Sequence, residues 1–386
     1  DAITVTINST SIAYTVVAND LTVNGDGSGG AASDSQIRST IANRLAAAIN
    51  GNTAAAVVVT AAVSGEQVTI TSDSSASFTL AAAASNGSGF GVSSSPIAVA
   101  SPGRTSQEFR NYGAFAALRS DGSVVTWGES SWGGDSSAVS AALNNSSNKV
   151  TQIFSTGSAF AALRSDGSVV TWGDPSRGGN SSAVSAALNN SSNKIAQIFS
   201  TQYAFAALRS DGSVLTWGYY DRGGDSSAVN SALNNSSNKV TQIFSTNNAF
   251  AALRSDGSVV TWGQSSSGGD SSAVFAALNN SSNKVTQIFS TESAFAALRS
   301  DGSVITWGDP NYGGNSSAVT AALNTSSNKV TQIFATGTAF AAMRSDGSVV
   351  TWGWFGGDSS AVSAALNTSS NKVTQIFSTG YAFAAL

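Results

Sequence analysis

The sequence contains no cysteine and no histidine, and charged residues make up only 10% of its 386 positions. Without cysteine there is no thiol nucleophile, no disulfide and no iron–sulfur site. Without histidine there is no Ser–His–Asp triad, no imidazole acid–base group and no ordinary zinc or copper centre. An enzyme would have to work with carboxylates, lysine, tyrosine or hydroxyls alone. We therefore expect a protein without enzymatic activity and without a cofactor.

The charge balance and the hydrophobic runs exclude two further classes of partner. The formal net charge is −4 at pH 7, whereas a nucleic-acid-binding surface is basic. No apolar run reaches the roughly 18 residues that a membrane span needs, and residues 54–63 are the best candidate. The first residue is Asp1, which we interpret as a mature product whose leader has been removed, although a fragment of a longer protein fits as well.

An internal repeat organises most of the chain. The string AFAALRSDGSVVTWG begins at Ala114 and recurs with small changes at 45-residue intervals, and a seventh AFAAL ends the chain from Ala382. These copies define repeat units 1 to 7, and each unit also includes the strand and the triplet that precede its AFAA. The AFAA strands of the seven units begin at Ala114, Ala159, Ala204, Ala249, Ala294, Ala339 and Ala382. A unit of this size buries its apolar residues only against its neighbours.

Each unit contains a predicted hairpin. Asp121-Gly122 is typical of a two-residue type I′ turn, because both positions tolerate positive φ. This turn would place Ala116 opposite Trp127 and would make both faces of the hairpin apolar. A hairpin with two apolar faces must be covered on both sides, so the column of tryptophans is expected to belong to the core.

The rest of the unit predicts a helix and a third strand. Asp135 is a good helix N-cap residue, and the apolar residues of 138–143 lie on one stripe of a helix of about two turns. Residues 150–154 alternate in the manner of a strand that leads into the next AFAAL. Such a short helix is stable only when it packs against other elements.

The string KVTQIFSTGSAFAALRSDGSVVTWG, at 149–173, resembles the repeats of the regulator of chromosome condensation family. Those repeats pair a Val-x-x-Ile strand with an Ala-Leu strand, an Asp-Gly turn and a Trp-Gly ending. The resemblance covers about residues 106–386 and implies a β-propeller, typically of seven blades. The usual histidine before the Ala-Leu strand is absent, and 45 residues is short for a blade. An open β-rich solenoid or superhelix, as in very long bacterial surface proteins with similar units, is the alternative.

The last unit lacks a strand. Residues 106–109 align with 151–154, so the first strand and AFAAL each occur seven times, whereas the Ser-Val-Val-Thr-Trp-Gly strand occurs six times. This count predicts an incomplete last blade, whose apolar edge invites another strand. Either the sequence is truncated here, or something else completes the last unit. We expect a neighbouring subunit to complete it with residues 2–8, with Ile3, Val5 and Ile7 facing inward.

Residues 1–100 predict a separate ββαββ module. Strands are expected at 3–7, 12–17, 57–63, 67–72 and 77–84, with a helix over about 34–50. The strings VTINSTSIAYTV, LAAAINGN and VSGEQVTITS resemble the flagellin hook IN motif, which implies a module of extracellular assemblies without catalytic residues. Residues 89–106 read as a linker, so residues 101–386 form the second, propeller-like domain.

The positions where the copies differ are the candidate binding sites. The loop after each Trp-Gly and the triplet before each AFAA vary, and variable aromatic loops on a rigid scaffold are typical of partner binding. Neutral drift in exposed loops is the alternative. The candidate rim residues are Trp132, Tyr219, Tyr220, Tyr312, Trp354 and Phe355. Residues 24–30 are rich in glycine and oxygen ligands, but they lack the acidic density of a Ca²⁺ loop, so a flexible loop is favoured.

Two functions remain open after these observations. The first is an extracellular, non-enzymatic structural protein that self-associates into a polymer, as a subunit of a surface filament, matrix or adhesin. The second is a monomeric propeller that binds a glycan or a protein, for instance on a phage fibre. Both place the chain at a cell or virion surface, and size-exclusion chromatography separates them.

Overall fold

The computed structural model describes residues 2–7, 10–15, 59–64, 67–72, 80–84, 111–368, 370 and 372–386. The chain divides into two compact bodies, Asp1–Val99 and Ala100–Leu386. The expected helix near 34–50, the glycine-rich segment 24–30, the first strand at 106–109 and the linker lie outside the described residues.

The described residues of the first body form two small antiparallel sheets. One sheet has the strand order β2-β1-β5, and the other is the hairpin β3-β4. The strands are β1 (Ala2–Ile7), β2 (Thr10–Thr15), β3 (Val59–Ser64), β4 (Gln67–Ser72) and β5 (Leu80–Ala84). The strand that carries Ile3, Val5 and Ile7 is therefore the central one, and it pairs with β2 on one edge and with β5 on the other. Donation of this strand to a neighbouring subunit would require both pairings to break.

The second body is mostly β, with three-stranded antiparallel sheets in series, as the sequence predicts. Units 2 to 6 each contain three strands, and units 1 and 7 each contribute two described strands. The strands are β6 (Ala114–Leu118), β7 (Val124–Gly128), β8 (Val150–Ser155), β9 (Ala159–Arg164), β10 (Val169–Gly173), β11 (Ile195–Ser200), β12 (Ala204–Arg209), β13 (Val214–Gly218), β14 (Val240–Ser245), β15 (Ala249–Arg254), β16 (Val259–Gly263), β17 (Val285–Ser290), β18 (Ala294–Arg299), β19 (Val304–Gly308), β20 (Val330–Ala335), β21 (Ala339–Arg344), β22 (Val349–Gly353), β23 (Ile376–Ser378) and β24 (Phe383–Ala385).

The helical segment of units 1 to 6 consists of a 3₁₀ turn followed by one α-helical turn. In unit 1, a 3₁₀ turn at Ser137–Val139 precedes the one-turn helix α1 (Ser140–Leu143), and Asp135 Oδ1 accepts the N–H of Ser137 at 2.8 Å. Asp135 therefore closes the turn before the helix. The equivalent helices are α2 (Ser185–Leu188), α3 (Asn230–Leu233), α4 (Phe275–Leu278), α5 (Thr320–Leu323) and α6 (Ser363–Leu366).

The predicted register of the hairpin is wrong by one residue. The N–H of Gly122 donates to the carbonyl of Arg119 at 2.9 Å, and Gly122 has a φ of 82°. The loop therefore has three residues, as in a type I turn followed by a left-handed glycine, and not two. As a result Trp127 lies opposite Phe115 rather than Ala116, and the two rings stack with centroids 5.3 Å apart.

The core lies between consecutive units. Ala204, Ala206 and Leu208 of β12 face the next unit, where Phe250 and Trp262 fill the space between the two sheets. Ala204 and Ala206 are fully buried, because the sheets approach so closely that a larger side chain would overpack the layer. Leu233 of α3 closes the same cluster. Each hairpin of units 2 to 6 is thus covered on both sides, as its two apolar faces require.

The first repeat unit leaves one apolar face exposed. Phe115 is 61% and Trp127 is 50% exposed, whereas the equivalent Phe160 and Trp172 are 4% and 5% exposed. In unit 2 the preceding unit covers these rings, since Gly133 lies directly over Phe160. Phe115 and Trp127 therefore present to solvent a surface that the interior units bury.

Candidate binding face

The two variable loops of each unit lie side by side, at the end of the hairpin opposite the Asp-Gly turn. In unit 3 the N–H of Tyr219 donates to the carbonyl of Tyr203 at 3.0 Å. The buried hydroxyl of Thr201 donates to the carbonyl of Arg222 at 3.0 Å and accepts the N–H of Ala204 at 2.9 Å. One buried threonine thus fixes both loops, so their remaining side chains vary without loss of the framework.

The same arrangement recurs along the array. The hydroxyls of Thr156, Thr246 and Thr291 also donate to the carbonyl of the last residue in the loop after Trp-Gly of their unit. We call the surface that these loops form the variable face. It consists of residues 111–113, 129–132, 156–158, 174–177, 201–203, 219–222, 246–248, 264–267, 291–293, 309–312, 336–338, 354–355 and 379–381.

A ladder of single backbone hydrogen bonds connects the units through this face. The N–H of Tyr112 donates to the carbonyl of Gly157 at 2.9 Å, and the N–H of Gly157 donates to the backbone carbonyl of Gln202 at 2.9 Å. The ladder continues through equivalent positions to Gly380. Because only backbone atoms take part, the side chains of this column are free to differ from unit to unit.

The first cluster of the variable face combines tyrosines with arginines. Tyr219 and Tyr220 stack with ring centroids 5.3 Å apart, and Tyr219 also contacts Tyr203 at 6.4 Å. The guanidinium groups of Arg177 and Arg222 lie over the Tyr203 ring, at 5.0 and 5.5 Å from its centroid. Both separations fall within the range of a cation–π contact. We call these five residues the Tyr–Arg cluster.

The second cluster consists of aromatic rings alone. Trp354 and Phe355 stack at 4.8 Å, and they are 55% and 54% exposed. Tyr312 meets Trp354 edge-on at 6.4 Å, and Tyr381 meets Phe355 edge-on at 6.0 Å. We call these four residues the aromatic cluster. Tyrosine, tryptophan and arginine are the residue types most enriched in the energetic centres of protein interfaces.

Tyr112 and Glu292 occupy the ladder column close to the two clusters. The amide of Gln202 donates to the hydroxyl of Tyr112, and a Cβ added to the intervening Gly157 would meet the Tyr112 ring at 2.7 Å. Burial is the largest cause that raises the pKa of Tyr112, and electrostatic repulsion from Tyr203 and Glu292 adds to it. Burial is also the largest cause that raises the pKa of Tyr312, and electrostatic repulsion from Glu292 adds to it. Both phenols therefore remain neutral hydrogen-bonding groups at neutral pH.

The structure groups five of the six candidate rim residues. Tyr219 and Tyr220 belong to the Tyr–Arg cluster, and Tyr312, Trp354 and Phe355 belong to the aromatic cluster, as described above. Trp132 belongs to neither, since it is half-buried and packs against the core between units 1 and 2. Its ring lies against Gly113, where an added Cβ would approach to 2.6 Å.

Sequence reasoning missed Tyr203, Tyr381, Arg177 and Arg222 as members of these clusters. Tyr203 and Tyr381 stand in the variable triplets before AFAA, and the arginines stand in the loops after Trp-Gly. Variation among the copies marks both sets of positions. Only the pairing of the two loops across the hairpin end shows that they form one surface.

The described residues hold no group of three or more acidic side chains that could bind a metal ion. The aspartates of the Asp-Gly turns lie at the other end of each hairpin, where Asp211 Oδ1 accepts the N–H of Ser213 at 2.9 Å. Among the described residues, no helix is both long and apolar enough to cross a membrane.

No protein-family model matches the chain, and neither does any curated protein sequence. Solved structures with related folds include the ectodomain of the receptor kinase CR4 from Physcomitrella patens, at 15% identity and a TM-score of 0.38, where the match covers 64% of this chain and 62% of that one, less than two thirds of its length. Prp20p from Saccharomyces cerevisiae matches at 17% identity and a TM-score of 0.37, over 64% of this chain and 72% of that one.

The C-terminal domain of gp131 from bacteriophage phiKZ matches at 15% identity and a TM-score of 0.33, over 71% of this chain and 85% of that one. Prp20 is the yeast RCC1 protein and belongs to the repeat family that the sequence resembles. The resemblance of residues 1–100 to the hook IN motif stays a prediction.

Proposed function

We propose that the chain is a non-enzymatic binding module at a cell or virion surface, and that its variable face recognises a macromolecular partner. One observation carries this proposal: near-identical units differ mainly in two loop sets, and these sets form one surface with exposed aromatic and arginine clusters. Neutral drift would favour small polar residues in exposed loops, whereas Tyr220 is 67% and Trp354 is 55% exposed.

The test replaces the variable face while it leaves the framework intact. In the uniform-face variant, the loops of units 3 and 6 carry the residues of unit 4, including Tyr219→Gln, Tyr220→Ser and Tyr203→Asn. Binding is measured against an array of surface glycans and a displayed library of extracellular protein domains. We expect the wild-type chain to bind a member of these sets and the variant, with an unchanged thermal midpoint, to lose it. Equal binding by both proteins would refute the proposal.

A second function, a self-associating subunit of a surface filament, is favoured by the exposed face of unit 1. Phe115 and Trp127 present a pair of rings that is buried in units 2 to 6, so a second copy of the chain offers a surface of matching chemistry. Light scattering after size-exclusion chromatography tests this function. The double variant Phe115→Ser and Trp127→Ser should convert polymers to monomers, and a wild-type chain that stays near 38.7 kDa at high concentration would exclude it.

A further inference from the structure

A groove lies between the outer segments of units 3 and 4, beside strand β16. Its volume is about 580 Å³, and it is open to solvent along one side. The floor includes the edge strand β16 with the buried Trp262, and the walls come from the segments that follow β13 and β16. The groove lies entirely within the repeat array and borders the variable face at Tyr220.

Two exposed aromatic side chains distinguish this groove from its counterparts. Tyr220 lines one side and is 67% exposed, and Phe275 lines it from α4 and is 60% exposed. The position of Tyr220 holds serine or proline in units 1, 2, 4 and 5, and the position of Phe275 holds serine, asparagine or threonine in every other unit. Within the described repeat array, units 3 and 4 are the one consecutive pair in which both of these positions hold an aromatic residue.

Polar groups line the groove beside these rings. Asp225 and Asp270 each use Oδ1 to accept a backbone N–H, from Ser227 and Ser272, at 2.8 Å. These hydrogen bonds lower the pKa of both carboxyls, so both are ionised at neutral pH. Arg254 also lines the groove and supplies guanidinium donors. The site therefore offers two carboxylates against one cation, which disfavours an anionic ligand.

The edge of β16 is closed to an added strand at its first residue. The N–H of Val259 already donates to Asn279 Oδ1 at 3.1 Å, whereas a peptide that extends a sheet needs free edge groups. A ligand of this groove must instead present apolar faces to the rings and hydroxyl donors to the carboxylates. Neutral sugars carry both features, since their axial C–H groups form apolar patches and their hydroxyls donate hydrogen bonds.

We propose that the groove binds a neutral oligosaccharide. Its sugar rings pack on Tyr220 and Phe275, and its hydroxyls donate hydrogen bonds to Asp225 and Asp270. This proposal rests on the proposed function of the chain as a binding module. Tyr220 stacks on Tyr219 and so joins the groove to the Tyr–Arg cluster. A longer glycan can therefore extend from the groove onto the variable face.

Isothermal titration with neutral oligomers of glucose, mannose, galactose and N-acetylglucosamine tests the proposal on the full chain. We expect one oligomer to bind with a stoichiometry of one per chain. Phe275→Ser and Tyr220→Ser, which install the residues of other units, should each weaken binding by about tenfold or more. The paired change Ser265→Tyr with Thr320→Phe builds the same aromatic pair between units 4 and 5, and it should raise the stoichiometry to two.

The control separates this proposal from the proposed function. Trp354→Ser alters the aromatic cluster and leaves the groove untouched, so it should keep oligosaccharide affinity within about twofold while it reduces partner binding at the variable face. Absence of binding by every oligomer, or equal affinity of the wild type and the Phe275→Ser variant, overturns the groove assignment. A partner that still needs Trp354 in that case leaves the proposed function in place.

Discussion

The indole Nε1 of Trp217 donates a hydrogen bond of 3.0 Å to the carbonyl oxygen of Gly178 in the preceding unit. Equivalent bonds join Trp172 to Gly133, Trp262 to Gly223, Trp307 to Gly268 and Trp352 to Gly313, at 3.0 to 3.1 Å. Each tryptophan is buried, so its polar atom needs a partner. The bond therefore fixes the position of each unit on the one before it.

The bond between Trp217 and Gly178 predicts the result of Trp217→Phe. Phenylalanine keeps the ring stack with Phe205 but leaves the Gly178 carbonyl without its donor. The free energy of unfolding should therefore fall by about 2 kcal/mol, and the midpoint of urea unfolding should fall with it. Trp127→Phe is the matched control. Because Trp127 is 50% exposed, we expect a change within about 0.5 kcal/mol. Equal losses in both variants would contradict this account.

Gly178 predicts a strict requirement for glycine. Its φ is 106°, and an added Cβ would lie 2.5 Å from Cδ2 of the buried Phe205. Gly178→Ala should therefore cost about 3 kcal/mol, from backbone strain and overpacking together. Gly380→Ala is the control, since an added Cβ there meets no atom within 4 Å, and its thermal midpoint should be unchanged. A Gly178→Ala variant as stable as the wild type would refute the proposed clash.

Asn234 connects the end of helix α3 to the edge strand β13. Its Oδ1 accepts the N–H of the buried Val214 at 2.8 Å, and loss of this acceptor leaves a buried donor unpaired. Asn234→Ala should lower the free energy of unfolding by about 2 kcal/mol, and Asn234→Asp, which keeps an acceptor, should restore most of it. Ser236→Ala, at an exposed position of the same turn, serves as the control in the same denaturation experiment and should have little effect.

The turn aspartates predict a loss of stability in acid. Hydrogen bonds from the hydroxyl and the N–H of Ser348 lower the pKa of Asp346 from 3.8 to about 2. The folded state thus favours the carboxylate, so this stabilisation is present above pH 3.8 and is lost as the pH falls through about 2. Burial raises the pKa of Asp166, Asp211, Asp256 and Asp301, but hydrogen bonds outweigh it and the net shift is downward.

The measurement is the thermal midpoint as a function of pH. We expect a plateau above about pH 5 and a steep fall between about pH 4 and pH 2. Asp346→Asn keeps an acceptor without an ionisable group, so its midpoint should fall less over the same interval. A wild-type midpoint that is constant down to pH 2 would show that these hydrogen bonds contribute nothing to stability.

The sequence alone predicts the strands, the repeat boundaries and the burial between units, because hydrophobic periodicity and exact repetition determine all three. It does not determine the register of the hairpin. Asp-Gly suits a two-residue loop, but here Gly122 alone adopts the left-handed conformation, with a φ of 82°, and Asp121 Oδ1 accepts the N–H of Ser123 at 2.9 Å. The conformation of Gly122 therefore decides whether Trp127 lies opposite alanine or phenylalanine.

The candidate binding face was predictable in part for a similar reason. Differences among the copies mark the variable positions, and five of the six predicted aromatic residues lie in the two clusters. Trp132 is also aromatic and stands at the same loop position as Tyr312, but Gly113 leaves space for its ring to pack inward. The groove depends on Tyr220, in the loop after β13, and on Phe275, in α4, which are 55 positions apart in the sequence. Only the packing of units 3 and 4 brings these two residues together.

The tryptophan–glycine bond has a consequence for how the array changes over generations. Each bond joins a unit to the one before it, and the same pair of residue types forms it at every junction of units 1 to 6. Unequal recombination within the gene, which removes or adds a whole 45-residue copy, therefore recreates an existing junction instead of producing a new one. The number of units can change in one genetic event, while the loop residues of each remaining copy are inherited intact.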